Sequence, residues 1–294
     1  MDIGIKSYAR TRLEDKTGKI QSRLECSMLK EHIIPSCYVG NNPSLNWQVI
    51  FNEGPFSLVY NRERKTIHYS NSVEQKTEWD ILYLIRQTLD RQLNEQGFIT
   101  LHASALNDGK KTIVVEGSSG SGKTSLILKG PREGYSFLSN ESTVISPNLE
   151  VVAGTQIIVY KEAMAKKFFP DLVKAQSPSQ GVLVKMPHEL YGDVVINSPE
   201  RISLIVNPKV GSDYASFPSS KKITKHSLFR ASSRYISGLF LMDGMTKSCP
   251  INLDNSACRE NRVNLVNHLV DNVPCQKIEG SPEEILKEIK SFKG

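Results

Sequence analysis

The sequence predicts an α/β protein in which a small β-rich module precedes a core of mixed strands and helices. Three observations carry this. Thr112–Val115 is a short apolar, β-branched run followed at once by a Gly-rich stretch, after which Ser125–Lys129 continues without Gly or Pro. A buried strand, a tight loop and a helix are expected there. Between residues 47 and 69, apolar or alternating runs are separated by turn-forming clusters, the pattern of short strands. Near the end, Ile285, Ile289 and Phe292 recur among Glu and Lys, as an amphipathic helix requires.

The elements follow in order. Trp47–Phe51 and Phe56–Tyr60 are strand candidates divided by Asn52-Glu53-Gly54-Pro55, and Thr66–Tyr69 is a third after the charged turn 61–65. Residues 19–26 alternate loosely and form a further candidate. His68 lies inside a strand pattern and reads as a packed or edge histidine. Trp79, Leu82, Leu84, Ile85, Leu89 and Leu93 recur near helical spacing, so a helix is expected over 78–96, stopped by Gly97. We therefore expect an N-terminal module over 1–97, closed by this linking helix, and a second domain over 98–294. Phe98–Leu106 is expected to form one strand, joined by a turn at Asn107-Asp108-Gly109-Lys110 to the strand at 112–115. Residues 134–141 form another strand that ends in polar Asn140 and Glu141. Further strands are expected at 184–186, 194–196 and 201–206, and Ser281-Pro282-Glu283-Glu284 starts the terminal helix.

Composition narrows the function classes. The 294 residues suffice for one or two domains with a sizeable core, and the net charge of +6 reflects a lysine-rich surface. Apolar runs such as 238–242 are far too short to span a bilayer, and Met1–Lys6 lacks the charged and apolar regions of a secretory signal. Five scattered cysteines form no C-x-x-C pair and fit reduced thiols. A cytoplasmic protein without membrane partner is the expectation. The basic stretch 221–234 reads first as a solvated, mobile loop and second as a clamp for phosphate or an acidic substrate. Its aromatics are sparse, which argues against a nucleic-acid surface.

The chemistry concentrates in Gly117-Ser118-Ser119-Gly120-Ser121-Gly122-Lys123-Thr124. Gly117, Gly120 and Gly122 permit backbone conformations that let several N–H groups converge on one concavity. The helix starting near Lys123 and Ser125 adds its unpaired N–H groups and the positive end of its dipole. Lys123 supplies a charge for the outer phosphates, and the Thr124 hydroxyl is placed to ligate Mg²⁺. This pattern, in strand–loop–helix context, binds a nucleoside triphosphate with Mg²⁺. His102 lies one strand away, and Asn140 and Glu141 end a neighbouring strand, where a metal-binding acid is expected.

The succession Leu101-His102-Ala103-Ser104, turn, apolar strand, phosphate loop, then Gly134 to Glu141 resembles the HPr kinase family. The resemblance covers roughly residues 98 to 210. It implies a mixed-sheet core like that of phosphoenolpyruvate carboxykinases and phosphorylation of a serine hydroxyl, as also performed by related kinases on ribosomal precursor peptides. It further implies association into larger assemblies. On this resemblance Gly117 to Thr124 match the phosphate loop and His102 matches a histidine near the reacting phosphate. Asn140 and Glu141 stand where the family has two adjacent aspartates, one acting on the substrate hydroxyl and one near the metal. Asn140 cannot accept a proton, whereas Glu141 retains a carboxylate for Mg²⁺ or for base chemistry.

Two functions from different classes follow. One is an ATP- and Mg²⁺-dependent kinase acting on a hydroxyl, a Ser or Thr of a peptide or protein first and a small metabolite second. The other is an ATP-binding regulatory protein in which Asn140 marks a retired active site. A general ATPase is weaker, because no apolar run ending in Asp-Glu follows to polarise water.

Overall fold

In a computed structural model the protein has a mixed α/β fold. The structure describes residues 90–156, 187–196, 198–237 and 252–293, shorter stretches at 4–7, 13–14, 21–22, 48–53, 57–61, 66–71, 158–161 and 182–185, and positions 87, 164, 165 and 169. The chain divides into two compact units, Met1–Thr100 with Ser232–Leu265, and Leu101–Ala231 with Val266–Gly294.

The first unit contains β1 (Gly4–Ser7), β2 (Leu13–Glu14), β3 (Gln21–Ser22), β4 (Gln48–Glu53), β5 (Ser57–Asn61) and β6 (Thr66–Asn71). The four longer strands form a sheet in the order β1-β4-β6-β5, in which β1, β4 and β6 run parallel and β5 antiparallel. β4, β5 and β6 coincide with the three runs expected between 47 and 69. Of the candidate at 19–26, Gln21–Ser22 pairs with β2, and the remainder lies outside the described residues. Residues 90–95 are helical, and Gly97 at φ +88° turns the chain out of the helix. Position 87 is helical as well, and the rest of that expected helix, 78–86 with 88 and 89, lies outside the described residues. Arg262, wholly buried in this unit, donates to Asp254 at 2.8 Å.

From β7 (Ile99–Leu101) the chain enters the second unit through β8 (Ser104–Asn107), β9 (Thr112–Val115), α1 (Lys123–Lys129), β10 (Ser136–Ser139), β11 (Thr143–Ile145) and β12 (Glu150–Gly154). β13 (Ile158–Lys161), β14 (Val182–Lys185), α2 (Pro187–Tyr191), β15 (Glu200–Val210), β16 (Ala215–Pro218) and α3 (Lys221–Ser233) follow. The chain closes with α4 (Ser256–Asn272), β17 (Cys275–Gly280) and α5 (Pro282–Ser291). The sheet of this unit runs β10-β8-β9-β15-β12-β11, with β17 parallel to β15 and β16 antiparallel to β17.

The β8–β9 hairpin forms where the sequence places it. Asn107 Oδ1 accepts from Gly109 N at 2.6 Å, Asp108 Oδ1 accepts from Lys111 N at 2.7 Å, and Gly109 takes φ +88°. Short polar side chains thus build the turn from their own backbone. Alternation along the strands then sorts residues between two faces. Ile113, Val115, Leu204, Val206 and Ile278 pack in one core with Leu126, Ile127 and Leu128 of α1 and Ile285, Leu286 and Ile289 of α5. α5 starts as expected, with Ser281 accepting from Glu284 N at 3.2 Å and its own N–H donating to Glu284 at 2.8 Å. Val114, Glu116, Ile205 and Asn207 alternate with the residues of that core and so belong to the opposite face.

Three expectations are corrected. Phe98–Leu106 is not one strand but two, β7 and β8, with His102 and Ala103 in the break between them. The basic stretch 221–234 is not a mobile loop. It forms α3, because Thr224, Leu228 and Ala231 recur at helical spacing and are buried, while Lys221 and Lys225 pair with Asp271 at 3.5 and 3.0 Å. Strand 134–141 is shorter than expected and stops at Ser139. The sequence pattern does not single out β11, β12, β13, α2, β16, β17 or α4, although Leu265, Val266, Leu269 and Val270 mark a buried stripe on α4. Among the described residues, no helix is long and apolar enough to cross a membrane.

Candidate active site

Three chain segments reach the same edge of the sheet for a topological reason. β8 runs antiparallel to β9 with Ser104 opposite Val115, and β10 runs antiparallel to β8 with Ser139 opposite Ala105. The end of β9, the start of β8 and the end of β10 therefore share one edge. Gly117 leaves the first, His102 precedes the second, and Asn140 and Glu141 follow the third.

The loop from Gly117 is shaped by glycines with measurable constraints. Gly122 immediately precedes α1 at φ +106°, and a Cβ there would lie 2.2 Å from Val210 Cγ2. A Cβ on Gly117 would lie 2.6 Å from Ser121 Oγ. β15 fastens the loop, with Val210 N donating to Ser121 O at 2.9 Å. Val210 is a positioning residue that the sequence did not disclose, because it lies some ninety positions downstream. Ser118, Ser119 and Gly120 are exposed, while Lys123 and Ser125 are buried. The Lys123 ammonium donates to the carbonyl oxygen of Gly117 and, at 3.3 Å, to that of Ser118. Ser121 Oγ is buried and has no hydrogen-bond partner among the described residues. A cradle that side chains at Gly117 and Gly122 would fill, an orphaned hydroxyl, and a lysine held by loop carbonyls fit a polyphosphate. Thr124 is half-buried at the second position of α1.

His102 and Glu141 meet where the other two segments end. His102 N donates to Ala231 O at 3.2 Å, and its Nδ1 lies 3.0 Å from Glu141 O and 3.5 Å from Glu141 Oε2. A carbonyl oxygen only accepts, so this bond requires the proton on Nδ1, and a neutral imidazole then carries its lone pair on Nε2. Glu141 adopts φ +64°, a left-handed conformation that costs a side-chain-bearing residue about 1–2 kcal/mol. Asn140 is different. It is 1% exposed, its Oδ1 accepts from Ser104 Oγ at 2.7 Å, and its N–H donates to Thr155 O at 2.8 Å. Those bonds fix the chain from which Glu141 turns. Gly154 lies against the same turn, where a Cβ would meet Ser142 O at 2.5 Å. The structure thus joins His102 to Glu141 and Lys123 to the loop's own start, and it ties Asn140 to Ser104 and Thr155.

Relieving the left-handed residue separates folding from function. Glu141→Gly is expected to leave thermal unfolding unchanged or raised by up to about 1 kcal/mol, since glycine adopts that φ without penalty but costs entropy on folding. The same variant is expected to lose the activity proposed below. A calorimetric melt beside a turnover assay checks both.

Among the described residues, no group of three or more His, Cys, Asp or Glu could hold a metal ion. Mg²⁺ in phosphoryl transfer is held by one or two protein oxygens together with substrate phosphates, so this donor set is compatible with it.

No family model matches the chain, and no curated protein sequence matches it. Among solved structures, the HPr(Ser) kinase/phosphatase from Coxiella burnetii is similar, at 13% identity over 65% of this chain and 88% of that one, with a TM-score of 0.27. A likeness at that level transfers no residue role. The site stands on its own geometry.

Proposed function

We propose that the protein is an ATP- and Mg²⁺-dependent kinase of HPr kinase type, with a P-loop core from residue 98 onward, an N-terminal module over 1–97, and a hydroxyl acceptor on a peptide or protein. The observation that carries this reading is the pairing of His102 with Glu141 at the sheet edge from which the Gly117–Thr124 loop leaves. Acid–base residues beside a phosphate cradle suit transfer to a hydroxyl.

MgATP supplies the phosphoryl group and its charge-neutralising metal when bound. In this chain the N–H groups of residues 117–125 hold the phosphates. Lys123 would release its loop carbonyls to reach the outer phosphates, and Thr124 and Glu141 would be the metal's protein oxygens. His102 accepts the acceptor hydroxyl's proton at Nε2, because its Nδ1 proton is held by the Glu141 carbonyl. The adjacent carboxylate, 3.5 Å from Nδ1, stabilises the imidazolium that forms. Asn140, which cannot take a proton, keeps Glu141 in its left-handed turn through Ser104 and Thr155.

The test is incubation with γ-labelled ATP and Mg²⁺, alone and with lysate of the source cell, followed by mass spectrometry of labelled species. Label on a peptide or protein that Glu141→Gln abolishes while ATP binding persists is the expected result. Label on a small metabolite would make the acceptor a metabolite. Release of phosphate alone would point to an ATPase. Bound ATP with neither label nor phosphate would overturn the kinase reading and leave an ATP-binding regulator.

A further inference from the structure

A cavity of about 400 Å³ opens on the sheet face opposite α1 and α5. Its floor is Glu116, Ile205 and Asn207, and its walls come from β16, β17 and α3. Ligand cavities of globular proteins begin at about this size. Two of the exposed large apolar side chains lie on its rim, Phe217 at 43% and Ile223 at 68% exposure. The floor carries the unusual feature. Glu116 is 5% exposed, and its carboxylate accepts from Ser227 Oγ at 2.8 Å and from Asn207 Nδ2 at 3.4 Å.

A carboxylate offers about four acceptor positions, and a buried one is ordinarily matched by a cation. Among the described residues no lysine, arginine or histidine pairs with Glu116. The cations nearby are committed elsewhere. Lys277, on the cavity wall, bonds Glu279 at 2.8 Å and lies 5.3 Å from the centre of the Phe217 ring, while Lys221 and Lys225 pair with Asp271. Cys275, also on the wall, adds no charge, because burial pushes its thiol up to about 11.

We propose that this cavity is a binding site for a small organic cation, an amine or amidine whose charged N–H groups meet the Glu116 carboxylate and whose apolar body lies among Ile205, Phe217 and Ile223. The neighbouring hydroxyls of Ser227 and Ser219 and the Asn207 carbonyl are acceptors suited to the remaining N–H groups. An anion would meet an uncompensated carboxylate on the floor and is excluded. A divalent metal is disfavoured by the single carboxylate. The site does not depend on the kinase reading, because it lies on the sheet face opposite α1 and is lined by none of the residues Gly117 to Thr124.

Benzamidine and its neutral isostere benzamide, titrated into the full-length protein by calorimetry, test the charge requirement. Benzamidine is expected to bind about 10- to 100-fold more tightly than benzamide, the worth of one or two charge-assisted hydrogen bonds. Glu116→Gln is expected to remove that preference. Ile223→Lys, at an exposed rim position that does not endanger folding, is expected to weaken benzamidine by a similar factor through repulsion. A short peptide with a single arginine distinguishes a polypeptide side chain from a free small cation as the source, and saturable binding of either supports the site. Equal affinity for benzamidine and benzamide, retention of the preference in Glu116→Gln, or no binding of any cation at millimolar concentration would overturn it.

Discussion

Lys123→Ala is expected to cut phosphoryl transfer by about 10²- to 10³-fold, the usual cost of removing one preorganised charge from a developing transition state. Its ammonium, on a buried side chain, already lies in the loop, against the carbonyls of Gly117 and Ser118. Little reorganisation is therefore required when it transfers to a phosphate. ATP affinity is expected to fall as well, because a triphosphate loses its compact counter-charge. The fold is expected to survive. Hydrogen bonds to two loop carbonyls, worth about 1 kcal/mol each, are among the contacts removed, and the loop remains fastened by Val210 N to Ser121 O. ATP titration by calorimetry, with a melt of the same sample, checks the prediction. Unchanged affinity and turnover in a folded variant would remove the loop from the proposed site.

The second large effect is on stability. Gly122→Ala is expected to destabilise the protein by about 2–5 kcal/mol, from two additive causes. A Cβ-bearing residue at φ +106° costs about 1–2 kcal/mol. Overpacking a filled site costs about 1–3 kcal/mol more, and here the new Cβ would lie 2.2 Å from Val210 Cγ2 and 2.6 Å from Val210 Cβ. β15 cannot move aside freely, since the backbone of Val210 itself bonds the loop at Ser121. Against total stabilities of about 5–15 kcal/mol, the loss is large enough to read in a urea titration. Gly120→Ala is the internal control. It takes φ +84° with nothing within 4 Å of the added Cβ, so only the conformational part, about 1–2 kcal/mol, is expected. Val210→Gly in the Gly122→Ala background is expected to recover the steric part alone. Equal losses at Gly120 and Gly122 would show that contact with Val210 contributes nothing.

The sequence by itself determined the local parts of this protein. The loop from Gly117 to Thr124, the hairpin at Asn107–Lys110, the capped terminal helix and the three strands between 48 and 71 follow from residue types at fixed short spacings. Their physics is local, resting on glycine φ preferences, side-chain-built turns and periodic apolar faces. Glu141 lies at the end of a segment that the pattern delimits, whereas His102 falls inside the expected strand 98–106 and was singled out by its place beside the strand that leads into the loop and by the family resemblance.

Tertiary structure decided the rest. The break of Phe98–Leu106 into two strands frees His102 to reach Glu141, and nothing in the local pattern marks it. The helical state of 221–233 depends on burying Thr224, Leu228 and Ala231 in the folded chain. Asn140 reads as a lost catalytic acid until its bond to Ser104, thirty-six residues earlier, makes it a strut. Glu116 reads as an unremarkable residue ahead of the loop until Asn207, Ser227 and the cavity surround it. In each case the deciding contact joins residues distant along the chain, and such contacts exist only once the sheet order β10-β8-β9-β15 has set which strands are neighbours.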